Sequence, residues 1–325
     1  MVSITHIVNP VKVPESSDLF RAQPITFDSM RRAKDFVGNA MEINLISTQY
    51  NEDCEIIPDY FYKTPNLNRS VLDVGSFQEN KKLPFLQDIF TKAVAWKPDA
   101  DYIIYTNVDI ALYPDFYKKV ITLIEKGYDG ICINRNTLPE EACQGATLES
   151  LYTIKGLKHE GIDCFIIKRD LLPKFDLEHS IIGTGPVGLV IANNLLHLAT
   201  KFIWIREGRY TFHIGDDKSW LLDDVTERSQ LYFSFVQFRK ILINLLGKEK
   251  DSLKEIILNE SLKMANSFLE NKAFVPGFQY RKMLQLYSDG DFAGISKLNA
   301  IKERKKTPIA NRLKTIFKNY TKWTK

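Results

Sequence analysis

Two polar clusters in this 325-residue chain carry residue types and spacings that could do chemistry. The first closes the run Asp101-Tyr-Ile-Ile-Tyr-Thr-Asn107-Val-Asp109-Ile110. At a strand end, residues i and i+2 point to the same side, so Asn107 and Asp109 can face one ligand together. A divalent cation on a diphosphate wants hard oxygen ligands and takes few of them from protein, so a strand-end acid is a way to hold a metal–nucleotide. The competing reading is that Asn107 and Asp109 only turn and cap the chain. The second cluster is Thr211-Phe-His213-Ile-Gly-Asp216-Asp217-Lys218-Ser-Trp220. His213, at a strand end, can complete a metal site. Lys218 can neutralise phosphate as a point charge. Against this stands a structural histidine beside a charged turn.

Two further segments bear on the same chemistry. Gly161-Ile-Asp163-Cys-Phe165 places Asp163 at the expected start of an apolar strand, where it could receive an acceptor hydroxyl, orient a sugar, or only initiate the strand. Residues 182–188, Ile-Gly-Thr-Gly-Pro-Val-Gly, are a glycine-rich entry into a helix. Exposed N–H groups there suit phosphate or sugar oxygens. The segment lacks the Gly-Lys-Ser/Thr ending of a P-loop and is not G-x-G-x-x-G.

These residues need a scaffold, and the sequence predicts one. Strands are expected at 2–8, 42–47, 101–106, 128–134, 163–168, 202–205 and 209–214. Helices are expected after a Thr26 N-cap, with Phe27, Met30 and Ala33 on one face and a stop at Gly38, and again at 84–96, 114–126 and 186–198. Residues 55–83 give no clear element. Strands alternating with helices to about residue 220 argue for an α/β domain with a mostly parallel sheet. In such sheets ligands sit at the carboxyl ends of the strands, where Asn9, the 48–53 loop and Asn107 fall. From 228 onward the periodicity is helical only, over 228–246, 250–270 and 278–287. The expected organisation is a catalytic domain over 1–225, a helical extension over 226–300 and a basic amphipathic helix over 301–325.

Composition bounds the rest. With 44% hydrophobic and 26% charged residues, the chain can bury a sizeable core. The four cysteines, Cys54, Cys132, Cys143 and Cys164, form no C-x-x-C pair and no zinc spacing, which fits a reducing compartment. The amino-terminal residues do not read as a signal peptide, and no stretch is apolar enough for a membrane span. Residues 300–325 hold nine Lys or Arg and one Glu, a net +8 that leaves −4 for the remainder of a chain of net +4. In that tail Ile309, Leu313, Ile316, Phe317, Tyr320 and Trp323 recur at helical spacing opposite basic residues. Such a helix suits an anionic membrane surface, or packs on the body with a solvated basic face. Nucleic acid is not an expected partner, because the body is acidic and no recognised module appears.

The set of motifs resembles glycosyltransferases of the GT-A fold, over roughly residues 1–220. In that family a β/α nucleotide-binding half ends in a D-x-D motif that holds a divalent metal on the sugar-nucleotide diphosphate, and a later histidine often joins the metal. Asn107-Val-Asp109 resembles the D-x-D with Asn in place of the first acid, and residues 161–170, Ile182-Gly183 and His213 resemble the acceptor-side half. Residues 213–220 are similar to the H-x-x-G-x-x-K-P-W signature of one retaining family, one residue shorter and with Ser219 for Pro. The resemblance implies a hexosyltransferase using Mn²⁺ or Mg²⁺ and a nucleotide-sugar donor. It implies Asp109 and His213 at the metal, and Asn9, Thr48, Gln49, Asn107 and Lys218 around the nucleotide. A catalytic base, if the enzyme is inverting, falls to Asp163, Asp216 or Asp217, since 183–188 contains no acid. Glycan or lipid-linked acceptors in surface polysaccharide or glycoconjugate synthesis, at the cytoplasmic side of a membrane, would match the tail. Three other functions compete: a non-catalytic glycan- or nucleotide-binding protein of the same fold, a nucleotidyltransferase, and an S-adenosylmethionine-dependent methyltransferase. The last rests on Val71-Leu-Asp73-Val-Gly75, which imitates the first motif of that family.

Overall fold

A computed structural model describes residues 1–143, 145–214, 225–273 and 277–306. The elements in chain order are β1 (Ser3–Val8), α1 (Asp18–Val37), β2 (Glu42–Ser47), β3 (Tyr62–Lys63), α2 (Leu86–Trp96), β4 (Tyr102–Thr106), β5 (Ile110–Leu112), α3 (Phe116–Glu125), β6 (Gly130–Thr137), α4 (Glu140–Cys143), α5 (Leu148–Thr153), β7 (Leu157–Lys168), α6 (Val187–Leu198), β8 (Phe202–Ile205) and β9 (Thr211–His213). Helices α7 (Gln230–Lys248), α8 (Ser252–Asn271), α9 (Phe278–Ser288) and α10 (Phe292–Lys306) follow.

The strands form one nine-stranded sheet in the order β3-β2-β1-β4-β7-β6-β9-β5, with β8 also on β6. The half from β3 to β4 is parallel throughout. β7 then inserts antiparallel between β4 and β6, and β6 runs parallel to both β8 and β9. β1 and β4 are buried along their whole length, which is why both read as unbroken apolar runs rather than alternating ones. Alternation survives in which face each residue serves. Ile7, Ile103 and Tyr105 join the core shared with α2, α6 and the carboxy-terminal helices. Ile4, Tyr102 and Ile104 join the core shared with α1 and α3. Helices therefore cover both faces. Phe235, Phe238 and Ile241 of α7, Leu258 and Phe268 of α8 and Met283 of α9 lie in the same core as Phe165 and Ile167 of β7. Among the described residues, no helix is long and apolar enough to cross a membrane.

Three local expectations are corrected. The first helix begins at Asp18 with Ser17 as its N-cap, so Thr26 is not a cap but a buried residue inside it, and the helix also runs through the exposed Pro24. Proline forfeits one backbone bond, but Gln23 compensates the segment. Its amide donates to the Val11 carbonyl at 2.8 Å and accepts the Val11 N–H at 2.9 Å, tying the early turns to the loop after β1. Strand β7 begins at Leu157, so Asp163 lies inside a strand rather than at its start. Val71–Asp73 is a 3₁₀ turn capped by Ser70, not the strand end that a methyltransferase motif requires.

One buried group makes a pH prediction. His6, wholly buried on β1, contacts the Tyr117 hydroxyl at 2.8 Å and Thr106 Oγ1 at 3.0 Å. Burial pulls its pKa down to about 3. The unfolded chain binds a proton at this residue near pH 6.5, whereas the folded chain does not until about pH 3. Stability is therefore lost as pH falls below 6.5. Between pH 6.5 and 5, His6 is expected to cost about 1.5 kcal/mol. Urea unfolding of His6→Asn against wild type at the two pH values checks this, since the variant lacks that increment.

Candidate active site

The amino-terminal end of the site is built on the carboxyl ends of β1 and β2. Asn9 follows β1 and donates Nδ2 to the Thr48 carbonyl at 2.5 Å, drawing the two strand ends together. Thr48 and Gln49 are fully buried. The Gln49 amide accepts the Ser47 hydroxyl at 2.8 Å and donates to the Thr64 carbonyl at 2.7 Å and Asn66 Oδ1 at 3.0 Å. Both side chains thus face inward, and Gln49 braces the 64–67 loop beside the strand ends.

The chemical centre lies across β4, β5, β7, β6 and β9. Strand β4 ends at Thr106, and β5 starts at Ile110, leaving Asn107-Val108-Asp109 as the break. The short strand β5, which the sequence did not reveal, runs antiparallel to β9 with Ile110 opposite His213. That register delivers Asp109 to the histidine: His213 Nε2 lies 3.1 Å from Asp109 Oδ2. The His213 side chain is 4% exposed and that of Asp109 25%. Burial pushes the Asp109 carboxyl up, but the hydrogen bond and charge of His213, with the Arg135 guanidinium, outweigh it and hold the group below the usual carboxylate range. The other oxygen, Asp109 Oδ1, is buried and has no hydrogen-bond partner among the described residues.

Beside this pair runs a polar chain. The Tyr105 hydroxyl contacts Asn107 Oδ1 at 3.2 Å, Asn107 Nδ2 donates to Asp163 Oδ1 at 3.0 Å, and Arg135 Nη1 donates to Asp163 Oδ2 at 2.6 Å. Arg135 and Asp163 form a buried ion pair, 10% and 13% exposed. Arg135 reaches it because β6 slips register on both sides of Asn134, pairing Ile133 with Cys164 but Asn136 with Lys158. Such bulges re-aim side chains. The same slip lets β6 leave β8 and take up β9 at Asn136 and Thr137. Burial raises the Tyr105 phenol well above its ordinary range, followed by the charges of Asp109 and Asp163, so it stays a neutral donor.

Sequence reasoning brought Asn107, Asp109, Asp163 and His213 to this centre and missed Arg135 and Tyr105. Arg135 sits in a polar strand ending, Asn134-Arg-Asn-Thr137, whose bulge leaves no composition signal. Asp216, Asp217 and Lys218 lie outside the described residues, as does 307–325 of the basic tail. The glycine-rich helix entry serves packing: a Cβ on Gly188 would stand 2.6 Å from the Ile162 carbonyl, so glycine lets α6 press onto β7 beside Asp163.

Could the centre hold a divalent cation? Among the described residues, no group of three or more His, Cys, Asp or Glu converges. A cation carried by a diphosphate needs fewer protein ligands. A buried carboxylate oxygen without a partner, next to an imidazole nitrogen, is a fitting donor set for it.

No family model matches the sequence, nor does any protein of curated function. Solved structures do. The crystal structure of S. aureus TarS residues 1–349 in complex with UDP-GlcNAc shares 11% identity with this chain at a TM-score of 0.53, covering 90% of this chain and 81% of that one. A second crystal structure of S. aureus TarS 1–349 matches at a TM-score of 0.50 with the same identity and coverage. Strand order, helices on both faces and the carboxy-terminal helices together give this chain the GT-A-like fold of TarS.

Proposed function

We propose that this protein is a glycosyltransferase of the hexosyltransferase type. It would move a sugar from a nucleotide-diphosphate sugar to a hydroxyl of a glycan or lipid-linked acceptor. The observation that carries the reading is the Asp109–His213 pair at the carboxyl edge of the sheet, with one buried carboxylate oxygen that has no partner among the described residues. The fold and its similarity to TarS, crystallised with UDP-GlcNAc, support it and make a UDP-sugar the donor class to test first.

Asp109 and His213 would hold Mn²⁺ or Mg²⁺, with the Asn107 carbonyl as a neutral oxygen beside them. When bound, the cation neutralises charge developing on the departing nucleoside diphosphate. Lys218 is proposed to add positive charge there, and Asn9, Thr48 and Gln49 to shape the nucleotide end by holding the strand termini and the 64–67 loop. If transfer inverts the anomeric centre, Asp216 or Asp217 is the proposed proton acceptor, because both Asp163 oxygens are already engaged. We assign 1–225 to the catalytic domain, 226–300 to a helical extension and 301–325 to a basic segment that meets an anionic membrane at its cytoplasmic face, in surface polysaccharide or glycoconjugate synthesis.

The test is release of nucleoside diphosphate from a panel of UDP-, GDP-, CMP- and dTDP-sugars (CMP from the third), with Mn²⁺ or Mg²⁺ and glycan or lipid-linked acceptors. Turnover of one donor that needs metal supports the reading. Binding of nucleotide or glycan without turnover of any donor favours the non-catalytic alternative.

A further inference from the structure

We propose that Arg135, Asp163 and Asn107 work as one unit that accepts a single carboxylate, and that its role is to aim the Asn107 carbonyl at the ligand held by Asp109. The identity of that ligand rests on the glycosyltransferase reading; the coupling does not.

Both oxygens of Asp163 are committed, one to Asn107 at 3.0 Å and one to Arg135 at 2.6 Å. A carboxylate paired with a guanidinium and only 13% exposed is an acceptor and nothing else. An acceptor-only neighbour decides which end of an amide faces it. The Asn107 NH₂ must point to Asp163, so its carbonyl points to the Tyr105 hydroxyl at 3.2 Å, and a second lone pair is left to offer. Asp163 is thus a positioning residue, and Arg135 fixes it from the β6 bulge.

The same geometry explains the residue type at 107. Aspartate there would set two carboxylates about 3 Å apart, with the Arg135 guanidinium bonded to the other oxygen of Asp163 rather than lying between them. An acid at 107 therefore requires an amide at 163. The added carboxylate would harm the site even though it adds a stronger oxygen ligand.

The experiment compares Asn107→Asp, Asp163→Asn and the double variant by thermal unfolding without ligand and by titration with UDP-GlcNAc and Mn²⁺. Asn107→Asp is expected to lower Tm by about 4 °C and to weaken binding about tenfold. Asp163→Asn alone also lowers Tm, because the buried Arg135–Asp163 ion pair is lost. The double variant is expected to recover more than half of the Asn107→Asp loss in Tm and in affinity. The proposal is overturned if Asn107→Asp unfolds at the wild-type temperature, or if the double variant shows the sum of the two single losses. Should wild type bind no nucleotide, the glycosyltransferase reading fails while the unfolding temperatures still decide the coupling.

Discussion

Replacing Asp109 with alanine is expected to remove metal-dependent nucleotide binding and to lower sugar transfer at least about a hundredfold. The side chain is the only acid at the strand break after β4, and its free oxygen is the one buried carboxylate oxygen at the centre without a partner among the described residues. Without it His213 alone offers a nitrogen, which does not hold a cation on a diphosphate. Asp109→Asn keeps a neutral oxygen and is expected to lose less. Stability separates this from a structural effect. The unmatched oxygen costs the fold while the His213 contact supports it, so Asp109→Ala is expected to change Tm by no more than about 4 °C. Calorimetric titration and thermal unfolding of the same preparation check both halves. Loss of binding together with a large fall in Tm would instead mark Asp109 as part of the framework.

The second large effect falls on stability. Arg135→Met is expected to destabilise the protein by about 3 kcal/mol, because it leaves the Asp163 carboxylate buried with only a neutral amide for company. Breaking a buried pair on one side costs far more than replacing both partners. Arg135→Met with Asp163→Leu is therefore expected to regain most of the loss, while nucleotide binding stays weak because Asn107 is no longer oriented. Chemical denaturation of the three variants gives the numbers. Equal stability of Arg135→Met and wild type would show that the pair carries no energy in the fold.

Much of this architecture was legible because apolar periodicity and burial coincide. β1 and β4 are runs buried on both faces, β2 is buried from Leu45 to Ser47, and α6 and α7 repeat apolar residues at helical spacing. What escaped depends on partners far away in sequence. β5 is three residues long and exists only because β9 pairs with it a hundred residues later. α1 runs through Pro24 because Gln23 is tied to Val11, a contact that propensity cannot register. At the site, Asn107, Asp109 and His213 stand beside strand ends and so announced themselves. Thr48 and Gln49 stand there too, yet their side chains turn into the protein. Arg135 reaches the centre through a bulge that local pattern does not show, and Asp163, legible as a candidate, sits mid-strand rather than at the strand start its local pattern suggested.

The measurement that bears most directly on the central claim is calorimetric titration of the purified chain with UDP-GlcNAc and the wider nucleotide-sugar panel, with and without Mn²⁺. The expected result is saturable binding of one donor that requires the metal and disappears in Asp109→Ala. If no nucleotide sugar binds under any of these conditions, the glycosyltransferase assignment is wrong, whatever the fold resembles.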